Sequence, residues 1–129
     1  MTEPIEDADV YAALGEEGFT SLVGAFYQRV RQDDVVGKMY PPDDWEGAEK
    51  RLRDFLIFRF GGPTRYIEDR GHPRLRMRHI PFAIDIQARD RWFAMMSEAL
   101  DEQGLSPAVD AHLRGFFAHV ADFLRNRPG

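Results

Sequence analysis

Four histidines and no cysteine set the chemistry open to this 129-residue chain. Without thiols, disulfides, thiolate metal sites, thiol nucleophiles and iron–sulfur clusters are excluded. His112 and His119 lie seven residues apart on one helical stretch and project to similar azimuths at the edge of an apolar stripe, where they read as boundary side chains. A zinc site needs three or four converging ligands, and no motif supplies them. His79 is placed differently, after Leu75-Arg76-Met77-Arg78 and directly before Ile80-Pro81-Phe82. One reading is a histidine favoured by the negative end of a helix dipole. The other is a ligand: Pro81 releases the chain from helix geometry, Met77, Ile80 and Phe82 supply an apolar collar, and a neutral imidazole in such surroundings is a good donor to iron.

Arg70, His72, Arg74, Arg76 and Arg78 concentrate positive charge beside His79 in a chain whose formal net charge is −5. The cluster reads as a solvated basic turn, as a partner for the acidic first segment, or as counter-charge for an anion. Arginine suits carboxylates geometrically, although phosphate or nucleic acid also fits the patch taken alone. Tyr27, Tyr40 and Trp92 lie on or beside apolar stripes and each carries a polar donor, either reaching water or a carbonyl from the core or serving a bound group. Ala48 and Leu52 point inward from their helix without a hydrogen bond to offer. No catalytic side chain is assigned.

Helical periodicity dominates, and no sustained alternation suggests strands. A first helix is expected over residues 20–32, capped by Thr20, with Leu22, Val23, Phe26, Tyr27 and Val30 on one face. A short segment ends at Met39-Tyr40 before Pro41-Pro42. Asp44 is the expected cap of a helix reaching residue 60, with Ala48, Leu52, Phe55 and Leu56 inward, stopped by Gly61-Gly62-Pro63. Residues 63–73 read as an ordered loop or short turns, and 75–79 as one or two helical turns. A long helix over 85–103 is expected to bury Ile86, Trp92, Met95, Met96, Ala99 and Leu100 and to end at Gly104. Ser106-Pro107 opens the last helix, whose stripe is Val109, Leu113, Phe116, Phe117, Val120 and Leu124.

The length suits a single domain over residues 1–129, and 43% hydrophobic with 30% charged residues is ordinary for a globular chain. Aromatics reach 12%, enough to serve a large flat ligand as well as a core. The acidic start lacks the pattern of a signal peptide, and no apolar run approaches a membrane span. Acidity argues against nucleic acid. The expectation is therefore a cytoplasmic protein with neither membrane nor nucleic-acid partners.

In order along the chain, Phe26-Tyr27, Tyr40-Pro41-Pro42-Asp43-Asp44, Ala48-Glu49-Lys50-Arg51-Leu52, Phe60-Gly61-Gly62-Pro63, the run from Arg70 to Phe82 (RGHPRLRMRHIPF) and Asp90-Arg91-Trp92 closely resemble group II truncated haemoglobins. The resemblance implies an all-α, shortened globin fold, a two-over-two helical sandwich around haem b (protoporphyrin IX iron). It implies His79 as the proximal ligand of a five-coordinate iron that reversibly binds dioxygen and other diatomic gases such as CO and NO. Tyr27, Tyr40 and Trp92 would be the distal donors giving high oxygen affinity, with Ala48 where many globins keep a distal histidine and Leu52 one turn on. Phe26, Phe55, Leu56, Met77 and Phe82 would line the macrocycle, and Arg51, Tyr66 and Arg78 would meet its propionates. Members often carry adjacent glycines after the first short helix, where this chain reads Gly15-Glu16-Glu17-Gly18. Two further readings stand: a haem redox enzyme, peroxidase-like or nitric-oxide-oxidising, served by an external reductase; and a haem-free helical interaction module presenting Met95 and Met96, with the arginine turn as a docking patch. A homodimer stays open.

Overall fold

A computed structural model describes residues 5–128; the first four residues and the last, which the single-domain expectation includes, lie outside the described residues. It contains six α-helices: α1 (Asp7–Val30), α2 (Trp45–Arg59), α3 (Arg65–Arg70), α4 (Leu75–His79), α5 (Ile86–Gln103) and α6 (Pro107–Leu124). A single 3₁₀ turn, Gly37–Met39, joins α1 to α2. α1 packs on α2 and α5 packs on α6, and α1 also contacts both α5 and α6, so two helices lie over two. The short α3 and α4 attach to α2 and α6 respectively. This is the all-helical, two-over-two sandwich that the sequence resemblance implies.

The first helix is longer than its apolar periodicity suggests. Rather than starting at Thr20, it starts at Asp7, and the Glu6 N–H donates to the Asp9 carboxylate at 2.8 Å. Thr20 is no cap; its hydroxyl donates to the Glu16 carbonyl one turn back, inside the helix. The segment bends at Gly15, whose φ of 63° and ψ of −174° occupy a region open essentially to glycine alone. Three residues on, a Cβ at Gly18 would stand 2.7 Å from that of Leu14, so the bend closes tightly enough to require a second glycine. The spacing Gly15-Glu16-Glu17-Gly18 thus makes the first turn as a kink between two helical stretches, because the Gly15 backbone is itself non-helical.

Terminal signals elsewhere act as their chemistry dictates. Asp85 accepts from the Ala88 N–H at 2.9 Å, Gly104 ends α5 in the left-handed conformation, and Ser106 caps α6 with Pro107 at its first position. Asp44 occupies the N-cap position of α2 without capping it; its carboxylate turns to the Arg51 guanidinium at 3.1 Å. Residues 65–70, read as loop, are helical because Tyr66 is buried edge-to-face against Phe55 and Lys50 bridges Asp54 and Asp69. Ile86, expected inside, is exposed at the start of α5. Met95 and Met96 are buried, which removes one of the two surfaces of the interaction-module reading, while Arg70, Arg74 and Arg76 of the arginine turn are exposed. Among the described residues, no helix is long and apolar enough to cross a membrane.

Candidate functional site

The two helix layers do not close on each other completely. Between them lies a cavity of about 440 Å³, within the range of small-molecule and cofactor sites, with a wall that is mostly apolar. α2 turns Ala48, Leu52, Phe55 and Leu56 into it, a spacing of four, three and one that keeps all four on one helix face. α6 adds Phe116, Phe117 and Val120 from the stripe expected to pack the core.

His79, at the end of α4, stands on this wall. Its Nδ1 lies 2.6 Å from the Leu75 carbonyl oxygen. A carbonyl can only accept, so Nδ1 carries the proton and Nε2 keeps its lone pair. That tautomer is the one a metal-ligating imidazole adopts when its second nitrogen is held by a backbone carbonyl. The ring is further set by an edge contact to Phe82, with centroids 6.2 Å apart.

The chain after His79 is fixed from a distance by Asn126, just beyond α6. Its amide donates to the carbonyls of His79 at 3.2 Å and Phe82 at 2.9 Å, while its oxygen accepts from the Ile84 N–H at 2.9 Å. No local signal marks this residue in the sequence, because its partners lie 42 to 47 positions away. Asn126→Ala is expected to lower stability by about 1–3 kcal/mol, since it leaves the Ile84 N–H and the Phe82 carbonyl without their partner, whereas the His79 carbonyl still accepts from the Phe82 N–H at 3.0 Å. Thermal melts of the variant beside the parent protein check this; equal midpoints refute it.

The remaining polar groups are donors. The Tyr27 hydroxyl points at that of Tyr40 across 3.5 Å, too long for a strong O–H···O bond, so neither satisfies the other. Both are protonated at neutral pH as any phenol is, and burial pushes them further above their ordinary range. The Trp92 indole N–H has no hydrogen-bond partner among the described residues. Tyr40 and Trp45 rings meet Tyr27 edge-on, holding the group together.

Arg51, Arg70 and Arg78 bring cations to the cavity wall. Arg78 is held by the carbonyls of Pro73 and Arg70, each at 2.8 Å. Tyr66 and Phe82 also line the cavity, so all but two of the expected site residues meet there. The exceptions are corrections. Phe26 is fully buried behind the wall, edge-on to Tyr27 at 5.1 Å and to Trp92 at 5.4 Å, so it backs the donors and does not face the cavity. Met77 is 52% exposed and points away, because a five-residue helix shows only one face inward. His72 and His119 are exposed, and His112 bonds Asp7 at 2.8 Å as a boundary residue.

Comparison with known proteins decides what this arrangement belongs to. The bacterial-like globin family matches the chain over residues 9–126. The group 2 truncated hemoglobin YjbI of Bacillus subtilis is 40% identical over 117 residues, covering 91% of this chain and 88% of that one. The chain belongs to the group 2 truncated hemoglobins. Solved structures agree in shape with this globin. A thermostable hemoglobin from Thermobifida fusca has a TM-score of 0.89 at 44% identity, covering 93% of the globin and 98% of that chain. The truncated oxygen-avid haemoglobin from Bacillus subtilis has a TM-score of 0.85 at 36% identity, over 91% and 98%.

Proposed function

We propose that this globin holds haem b in the central cavity, with His79 as the proximal ligand of a five-coordinate iron, and binds dioxygen and other diatomic gases beside Tyr27, Tyr40 and Trp92. The observation that carries this reading is the His79 ring, with its Nδ1–H committed to Leu75 at 2.6 Å and its other nitrogen free on an apolar wall. The donor set fits the group: a neutral nitrogen for iron, apolar side chains for the macrocycle, and Arg51, Arg70 and Arg78 for two carboxylates. When bound, haem supplies the iron at which a diatomic gas is taken up.

The chain's own residues do the rest. Phe55, Leu56 and Phe82, which line the cavity, would exclude water from a bound macrocycle. Tyr27, Tyr40 and Trp92 present uncommitted O–H and N–H groups to a ligand that gathers negative charge. Ala48 and Leu52 leave the α2 side without a donor, so recognition falls to the three aromatics. One chain lines the whole cavity, so the reading needs no second copy; we place it in the cytoplasm as one domain spanning residues 1–129. A redox role served by an external reductase also accords with donors that retain the ligand strongly.

The test is an absorption spectrum of the purified protein, oxidised and reduced, with and without added haem. We expect a red protein with a strong Soret band and about one haem per chain, shifting on reduction under carbon monoxide. A protein still colourless after haem supplementation would overturn the reading.

A further inference from the structure

Charge on this protein is sorted into two regions. Every arginine from Arg29 to Arg65, together with Arg89, Arg91 and Arg114, pairs with a carboxylate at 3.9 Å or less. By contrast, Arg70, Arg74, Arg76, Arg78, Arg125 and Arg127 have no carboxylate partner among the described residues. No Asp or Glu occurs between Arg70 and Ile84, so Arg74, Arg76 and Arg78 have no acidic neighbour within their own segment. In a chain of net charge −5, the rest of the surface is correspondingly more acidic.

Arg70 and Arg78 line the central cavity, which leaves Arg74, Arg76, Arg125 and Arg127 exposed and facing out. Arg76, Arg125 and Arg127 form one face because α4 packs on α6 and Asn126 ties the chain end to residues 79–84, and Arg74 stands two residues before Arg76 at the start of α4. The Arg76 guanidinium lies 5.7 Å from the Phe123 ring centroid, and Arg76, Arg125 and Arg127 share a shallow surface hollow. Within the same face stand the exposed apolar side chains Met77 (52%), Ile80 (60%) and Phe123 (47%).

We propose that this face docks a small acidic electron-carrier protein, of the ferredoxin or flavodoxin kind. The proposal rests on the haem reading above, since α4 both carries His79 and separates this face from the cavity. Its composition is that of a protein interface, with arginine, methionine and phenylalanine present and lysine absent, and its one carboxylate, Asp122, is already paired with Arg89 at 2.8 Å. Charge selects the partner: an acidic carrier is attracted here and repelled by the remainder of the surface, which orients the encounter. An anionic membrane fits less well, because a lipid plane extends past the patch and meets the acidic flanks. The modest area suits a weak, transient complex, as is usual for redox encounters.

The probe is an oxidised plant-type [2Fe–2S] ferredoxin, titrated into the ¹⁵N-labelled, carbon-monoxide-saturated globin. Chemical-shift changes should cluster at residues 74–80 and 123–127, and affinity should fall steeply with added salt. The double charge reversal Arg76→Glu with Arg125→Glu should weaken binding at least tenfold, whereas Lys38→Glu, an exposed cation elsewhere, should leave it unchanged. Absent shifts, shifts spread over the acidic surface, or indifference to the reversal overturn the proposal. So does binding of phosphatidylglycerol vesicles, but not ferredoxin, that the same reversal abolishes. The Soret band of each sample reports haem separately: a haem band without docking overturns this proposal alone, and its absence overturns the reading beneath it as well.

Discussion

Replacing His79 by alanine is expected to give a folded protein that no longer retains haem. Of the groups on the cavity wall, His79 alone offers a neutral nitrogen lone pair, held there by the 2.6 Å bond from Nδ1 to Leu75. The tyrosines present protonated hydroxyls, the indole nitrogen has no lone pair in its plane, and the guanidiniums are permanently charged. Removing the imidazole therefore removes the metal donor with no substitute in reach. The apo-fold should suffer far less, because the ring is only half-buried and gives up one hydrogen bond, worth about 0.5–1.5 kcal/mol. The holo-protein loses more: a ligand present at 100 to 1,000 times its dissociation constant adds about 2.7–4.1 kcal/mol to the native state, and that increment disappears with it. Melting curves of both proteins, with and without haem, separate the two effects. Added imidazole should restore the Soret band of the variant by occupying the vacated position, which distinguishes a lost ligand from a lost fold. An alanine variant that keeps haem as tightly as the parent protein refutes the proximal assignment.

What the sequence makes legible is whatever its local chemistry determines. The bounds of α5 and α6 follow from Asp85, Gly104 and Ser106-Pro107, each of which satisfies or releases backbone groups within a few residues of itself. The first half of α1 is not legible in this way. Gly15 does break the helix, and a second helical stretch precedes it, with its N-terminal turn tied down by Arg59 on Asp7 at 2.6 Å, 52 residues away. α3 is equally hidden: Arg65-Tyr66-Ile67-Glu68-Asp69-Arg70 has no apolar stripe, and its helix depends on Tyr66 meeting Phe55 and on ion pairs to α2. The site divides along the same line. The motif around His79 is continuous in sequence and so can be recognised, whereas Asn126, which positions it, is visible only once α6 lies against residues 79–84. Periodicity also places Phe26 inside without saying what it faces. Burial fixes a side, and only packing decides that Phe26 supports Tyr27 and Trp92 from behind.

That packing bears on the largest kinetic effect expected. In Tyr27→Phe and in Trp92→Phe, dioxygen should dissociate from the haem-loaded globin about tenfold to about a hundredfold faster than from the parent protein. A hydrogen bond to a group bearing charge contributes about 1.5–3 kcal/mol, and each 1.4 kcal/mol is a factor of ten. Both donors are available for it. The Tyr27 hydroxyl is protonated at neutral pH as any phenol is, burial raising it further above its ordinary range, and its 3.5 Å approach to Tyr40 leaves its proton uncommitted. Tyr27→Phe keeps its ring against Phe26, whereas Trp92→Phe keeps one ring there and removes the other, which leaves some space in the wall. Carbon monoxide gathers less charge and should respond less, so the ratio of the two rates isolates hydrogen bonding from simple loosening of the pocket. The double variant should fall short of the product of the single effects, because both rings rest on the same Phe26 and a shift of one moves the other. Stopped-flow displacement of oxygen measures all three variants. Unchanged rates in both single variants would remove Tyr27 and Trp92 as donors and leave Tyr40 as the remaining member of the proposed distal set.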